Sequence, residues 1–301
     1  MKRFIKYLFC LLMLLMLVGC NSNTSSTNIN ILCPVGAPAL SFVSEYENIN
    51  KTGKIDFVDG SDQLIAELSK NNSDYDIIVA PINLGAKLIQ NKQSDYKIKG
   101  IITWGNLYYV GTSDNDLKET GELALFGEGA VPQKIVDTVK ISTSLTPKYY
   151  QSATLVQQQL LSGNVKVGML AEPLASATIA KAKQDNLELS IIADLQKSYG
   201  QNGYPQAAIF IKDGKDYKNL FESIDNFTNN GYEGLKEYLE KIGIDKLSLP
   251  SIEITAKSIN RQNIHYQDAS KCSKQIKDFL KLFNIDFDKS MLASWNEKYL
   301  L

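Results

Sequence analysis

The chain has 301 residues, 44% of them hydrophobic and 22% charged, which suits one large or two medium packed domains. Its formal net charge is −1 and it has no Lys/Arg-rich run, which argues against nucleic acid as a partner. One histidine and four cysteines, with no Cys-x-x-Cys, argue against a zinc or transition-metal site, and no cofactor is expected.

In chain order, Lys2, Arg3 and Lys6 give a basic start, and Leu8 to Val18 is an unbroken apolar run of about 11 residues. That length suits the core of a secretion signal and is too short to cross a bilayer, which takes about 20 residues. The string Leu17-Val18-Gly19-Cys20 resembles the lipobox of bacterial lipoproteins. The resemblance implies cleavage before Cys20 and acylation of its thiol and its new amino group, so residues 1–19 are a signal peptide. The alternative is an ordinary cleaved signal in which Cys20 is incidental. The mature chain then has 282 residues (301 minus 19) and a net charge of −4 (−1 less three lost basic residues). Two or more acyl chains hold a soluble domain at a membrane stably. Asn21 to Asn28 contains no apolar residue, so residues 20–28 read as a flexible tether. With Cys10 lost and Cys20 acylated, Cys33 and Cys272 remain, either bridged or as two free buried thiols.

Beyond the tether, short apolar runs alternate with helical stretches. Ile29 to Leu32 reads as a strand, and Cys33 to Pro38 as a turn before a helix over Ala39 to Glu45. Lys54 to Val58 is a second strand, and Asp59-Gly60-Ser61 a turn into a helix through Leu68. Tyr75 to Ala80 is a third strand, continuously apolar and so buried on both faces; Pro81-Ile82-Asn83 breaks it before a helix over Leu84 to Gln90. Three strand–turn–helix units predict a parallel α/β sheet. Ile101 to Trp104 and Leu107 to Gly111 read as one longer extended stretch. A second α/β set follows: strands at Leu123–Phe126, Lys166–Leu170 and Leu187–Ala193, with helices at Gln133–Val139, Ser152–Leu161 and Leu174–Gln184. Ala207 to Ile211 is extended again. From Tyr217 the chain reads mainly helical, with Ser258 to Asn263 as a connector.

The pattern predicts two α/β lobes joined by a hinge of two crossings: lobe 1 from residues 29–107 plus 206–301, lobe 2 from 108–205. Ligands in open α/β sheets sit at the C-terminal ends of the strands, so facing lobes make a cleft able to close on a small molecule. The turns Gly36-Ala37-Pro38, Ala80 to Gly85, Ile102 to Asn106, Gly127 to Pro132 and Ala171-Glu172-Pro173, in this order, resemble the solute-binding lipoproteins of ABC importers. Those have the type II periplasmic-binding fold, and the nearest branch is that for nitrate, sulfonates and thiamine precursors. The resemblance implies capture of a small solute between the lobes and its delivery to a permease driven by a separate ATPase. It also implies a membrane-anchored, extracytoplasmic protein, with a monomer expected.

The candidate ligand-binding residues are Gly36, Ala37, Pro38, Ser61, Pro81, Asn83, Trp104, Tyr108, Gly129, Ala130 and Glu172. The turns at Gly36, Ser61 and Gly129-Ala130 precede helices, whose first N–H groups and positive dipole ends favour an anionic or carbonyl-rich solute; the plainer reading is that these turns serve geometry alone. Asn83 either gives its amide to a ligand or caps the following helix. Trp104 and Tyr108 either stack on a flat ring or pack the hinge. Glu172 either receives an amine or ring N–H or pairs with a basic side chain across the hinge, while Pro173 suits a first helical turn. The chain has only Arg3, which leaves with the signal, and Arg261, and no arginine is placed to clamp a carboxylate or sulfonate bidentately; this favours a neutral or ring-bearing solute.

Two other functions fit less well. Menaquinone-biosynthesis enzymes and a pyrimidine synthase resemble these binding proteins in architecture, but no Ser-His-Asp set, metal cluster or nucleotide loop is present, and His265 reads as a surface or packing residue. A lipoprotein sensor or adhesin on the same fold is the other alternative.

Overall fold

The computed structural model describes residues 28–212 and 217–293. The signal peptide, Cys20 and the tether up to Thr27 lie outside the described residues, as does Trp295.

Two sheets carry the fold. The first has six strands: β1 (Asn30–Pro34), β2 (Lys54–Val58), β3 (Ile77–Pro81), β4 (Tyr96–Thr103), β10 (Ala207–Lys212) and β11 (Ile264–Asp268), in the order β11-β4-β10-β3-β1-β2. The second has five: β5 (Leu107–Gly111), β6 (Glu122–Phe126), β7 (Thr146–Tyr150), β8 (Val167–Ala171) and β9 (Ser190–Asp194), in the order β7-β6-β8-β5-β9.

The expectation of a parallel sheet needs correction. β1, β2 and β3 are parallel, but β10 returns antiparallel between β3 and β4, and β11 is antiparallel to β4. In the second sheet β5 is antiparallel to both its neighbours. β10 and β5 enter from the other lobe, so their direction is set by the crossings rather than by their own sequence. The extended stretch read over 101–111 is in fact two strands in different sheets, broken at Trp104-Gly105-Asn106. Thr146–Tyr150 and Ile264–Asp268, not read as strands, are edge strands. Edge strands are half-solvated and lack a long apolar run, so their sequence signal is weak. The helix expected over Ala39–Glu45 is a short 3-10 turn at Ala37–Phe42, followed by a helix at Tyr46–Thr52.

Central strands are buried on both faces, which explains their continuous apolar sequence. Ile31, Cys33, Ile77, Val79, Ile209 and Ile211 enter one core, while Leu32, Ile78, Ala80, Ala208 and Phe210 enter another. The second core continues through Trp104, Tyr204 and Leu195 to Leu107, Tyr109 and Met169 of the second sheet. One apolar cluster thus runs through the junction of the lobes. Cys33 and Cys272 are free and buried.

The crossings are tied together by hydrogen bonds. Tyr204 N donates to Trp104 O (3.1 Å), Gln206 N to Thr103 O (2.9 Å) and Ala207 N to Thr103 Oγ1 (3.0 Å). The fit requires Gly203: at φ +71° its Cα faces the Trp104 carbonyl, and any Cβ would overlap that backbone.

Candidate functional site

Strand directions place the C-terminal edges of the two sheets against one another. Because β10 is antiparallel to β3 and to β4, β4 runs with β1–β3, and all four end on the same edge. Leu107, the first residue of β5, pairs with Ala171, the last of β8, so β5 begins on the C-terminal edge of the second sheet. The link Trp104-Gly105-Asn106 is therefore a short bridge between two such edges, where ligands of open α/β sheets bind.

On the first-lobe side stand the turns after β1, β2 and β3. Gly36 has φ 81°, and its N–H donates to Leu247 O (2.9 Å), so that amide is committed within the protein. Ala37 is buried and Pro38 half-buried in a six-residue 3-10 turn. Ser61 precedes the helix Asp62–Leu68 without a side-chain cap. Neither turn starts a long helix, so the dipole contribution expected there is small. Pro81 ends β3 and stands at the N-cap of the nine-residue helix Ile82–Gln90. Asn83 is the second residue of that helix and not its cap, which removes the capping alternative. Its Oδ1 is buried with no hydrogen-bond partner among the described residues. Oδ1 of Asn106 and Oε1 of Gln206 at the crossings share that condition.

On the second-lobe side, Gly129 and Ala130 are exposed before the helix Val131–Val139, and the Gly129 N–H is taken by Gln133 Oε1 (2.7 Å). Ser152, not singled out from the sequence, caps the helix Ala153–Leu161 by accepting from Leu155 N (3.2 Å). Asp194 caps the helix Leu195–Tyr199 in the same way, and Gln196 beside it accepts from Leu107 N (2.6 Å), fixing the first residue of β5.

The aromatic candidates are packed. Trp104 is fully buried, its indole stacked on His265 at 5.1 Å between ring centroids and 7° between planes. Its Nε1 donates to His265 O (3.1 Å), and Asn263 brackets its backbone, accepting from Trp104 N (2.9 Å) and donating from Nδ2 to Trp104 O (2.7 Å). His265 is thus a packing residue at the hinge, and desolvation by burial holds its pKa below the ordinary histidine value. The Tyr108 hydroxyl donates to Arg261 O (2.8 Å), and burial pushes its pKa well above the usual tyrosine value.

Glu172 directly follows β8, with its side chain fully buried and the helix Leu174–Gln184 starting just beyond it. Its carboxylate accepts from Ser176 N (3.0 Å), Ser176 Oγ (2.8 Å) and Arg261 Nε (2.7 Å). Of the uses open to Glu172, pairing with a basic side chain is the one the structure displays. It also corrects the expectation about arginine: Arg261 reaches the junction of the lobes and is committed to Glu172 and to Ser176 Oγ (2.7 Å). As the sole arginine after Arg3, in a mostly polar connector, Arg261 carried a signal; its partner did not.

No protein-family model matches this chain, and no curated relative matches it. Solved structures do. An ABC transporter protein from Parabacteroides distasonis is 27% identical with a TM-score of 0.70, over 86% of this chain and 92% of that one. The periplasmic aliphatic sulphonate-binding protein SsuA from Escherichia coli is 14% identical with a TM-score of 0.62, over 85% of this chain and 86% of that one. The alkanesulfonate-binding protein SsuA from Xanthomonas axonopodis, bound to MOPS, is 16% identical with a TM-score of 0.56, over 85% of this chain and 92% of that one. The similarity covers most of each chain, and the chain has the two-lobed type II periplasmic-binding fold of ABC-importer solute-binding proteins.

Proposed function

We propose that this chain is the solute-binding subunit of an ABC importer, anchored by acyl groups on Cys20 to the extracytoplasmic face of the cell membrane. It captures a small organic solute between its lobes and hands it to a permease driven by a separate ATPase. Residues 29–107 with 206–301 would make one lobe and 108–205 the other. The observation that carries this reading is the meeting of two C-terminal sheet edges across a two-stranded hinge. The likeness to the Parabacteroides transporter protein over 86% of the chain supports it. The names of these structures support a binding protein rather than an enzyme.

Two measurements test it. Mass spectrometry of small molecules released on denaturing the purified protein is expected to find one organic compound at near-stoichiometric yield. The mature protein is expected to partition into detergent, and Cys20→Ala to leave it unacylated. A mature form that starts elsewhere and ignores detergent would remove the anchor while leaving the solute-binding reading intact.

A further inference from the structure

The turn Ile259–Gln262 is rooted in the first lobe. Ile259 lies in that lobe's core, and the wholly buried Gln262 donates to Thr255 O (3.2 Å) and Ser258 Oγ (3.1 Å) of the helix before it. Yet Arg261 in this turn is held by three groups of the second lobe. The Tyr108 hydroxyl from β5 holds its carbonyl, Glu172 just after β8 holds Nε, and Ser176 of the next helix holds Nη2. The pair is asymmetric: the Glu172 side chain is 0% exposed and that of Arg261 43%. A sealed carboxylate deprived of its cation is costly, whereas a half-wet guanidinium is partly screened. The contact is thus strong enough to bias the lobes and too weak to lock them.

The hinge pulls the other way. Oδ1 of Asn106 and Oε1 of Gln206 are buried there without partners among the described residues, and each such atom disfavours the arrangement that buries it. An arrangement that lets water reach them relieves that cost, at the expense of the Arg261 contacts. Two arrangements with opposed costs make a two-state element, and a solute that binds one of them gains apparent affinity in proportion to the fraction already in that state.

We infer that Arg261 is a positioning residue for solute capture: it latches the second lobe through Glu172, Ser176 and Tyr108 and sets the population of the described lobe arrangement without touching the solute. The inference rests on the solute-binding reading, but its first test needs no solute. One spin label is placed on an exposed position of each lobe, at Asn72 and Lys183, in solute-free protein, and the interlobe distance distribution is measured by pulsed dipolar spectroscopy. The parent is expected to show one dominant distance. Arg261→Gln is expected to raise a longer-distance population by about tenfold, the scale of one lost charged hydrogen bond, and Arg261→Lys to restore part of the parent distribution. Should Arg261→Gln fail to fold, Tyr108→Phe and Ser176→Ala each remove one of the Arg261 contacts, the latter also the Ser176 Oγ donation to Glu172, and must shift the distribution in the same direction. Unchanged distributions in folded variants overturn the latch. If Arg261→Lys and Arg261→Gln lose co-purified solute equally with no change in distance, Arg261 contacts the solute and the latch is again wrong, while the solute-binding reading stands. If the parent releases no small molecule at all, that reading fails separately.

Discussion

His265 sits face to face with Trp104, and its pKa is held down by burial. The sign of the consequence follows from linkage. A histidine with a folded pKa below its unfolded value of about 6.5 takes up a proton more readily in the unfolded chain. Its contribution to stability is therefore full above about pH 6.5 and is lost as pH falls from there through the folded pKa. Because the chain has one histidine, urea midpoints measured between about pH 7.5 and 5 are expected to fall with pH in the parent. His265→Phe, which keeps a ring against Trp104, is expected to flatten that window. A parent curve as flat as the variant's would show that His265 stays solvated. Asn83 is the other residue with a sharp expectation, since its Oδ1 is buried without a partner. If the solute supplies one, Asn83→Ala should weaken binding by about 1–3 kcal/mol, read by calorimetry with the compound identified by mass spectrometry.

At the scale of elements, the crossings govern the molecule. Gly203 and Gly129 both have positive φ, 71° and 75°, but their surroundings differ. A Cβ on Gly129 meets nothing within 4 Å, so Gly129→Ala should cost only the left-handed backbone, about 1–2 kcal/mol. A Cβ on Gly203 meets the Trp104 carbonyl, which cannot swing aside as a side chain does. Gly203→Ala should therefore lower the urea midpoint more than Gly129→Ala does, and should also change the Trp104 environment. Equal losses would mean that the crossings are not packed backbone to backbone.

For the whole molecule, the continuity of one apolar core through Trp104, Tyr204 and Leu195 gives the lobes a shared pivot. Solute binding is expected to lower the radius of gyration in X-ray scattering. It is also expected to survive exhaustive chelation with affinity changed by no more than about twofold, well inside the 1.4 kcal/mol that marks tenfold. A large loss on chelation would point to a hard cation held by oxygen ligands between the lobes.

Local chemistry by itself determined the α/β class and most central elements. β2 at Lys54–Val58 and the helix Leu174–Gln184 were legible to the residue, because Ile55 and Phe57 alternating with Lys54 and Asp56 mark a half-buried strand and a helix start after Pro173 is marked by its own residue types. The edge strands Thr146–Tyr150 and Ile264–Asp268, and the antiparallel course of β10, were not legible, because strand direction and pairing depend on where the chain comes back to a sheet. The candidate site divided in the same way. The turns after β1, β2, β3, β6 and β8 were visible as Gly, Pro and Ser breaks, since turn residues act locally. That Glu172 is neutralised by Arg261, 89 positions away, and that Trp104 is covered by His265, 161 positions away, was decided only by the tertiary structure. A carboxylate or an indole has the same sequence signature whether it faces a ligand or a partner side chain; the fold alone fixes what stands opposite it.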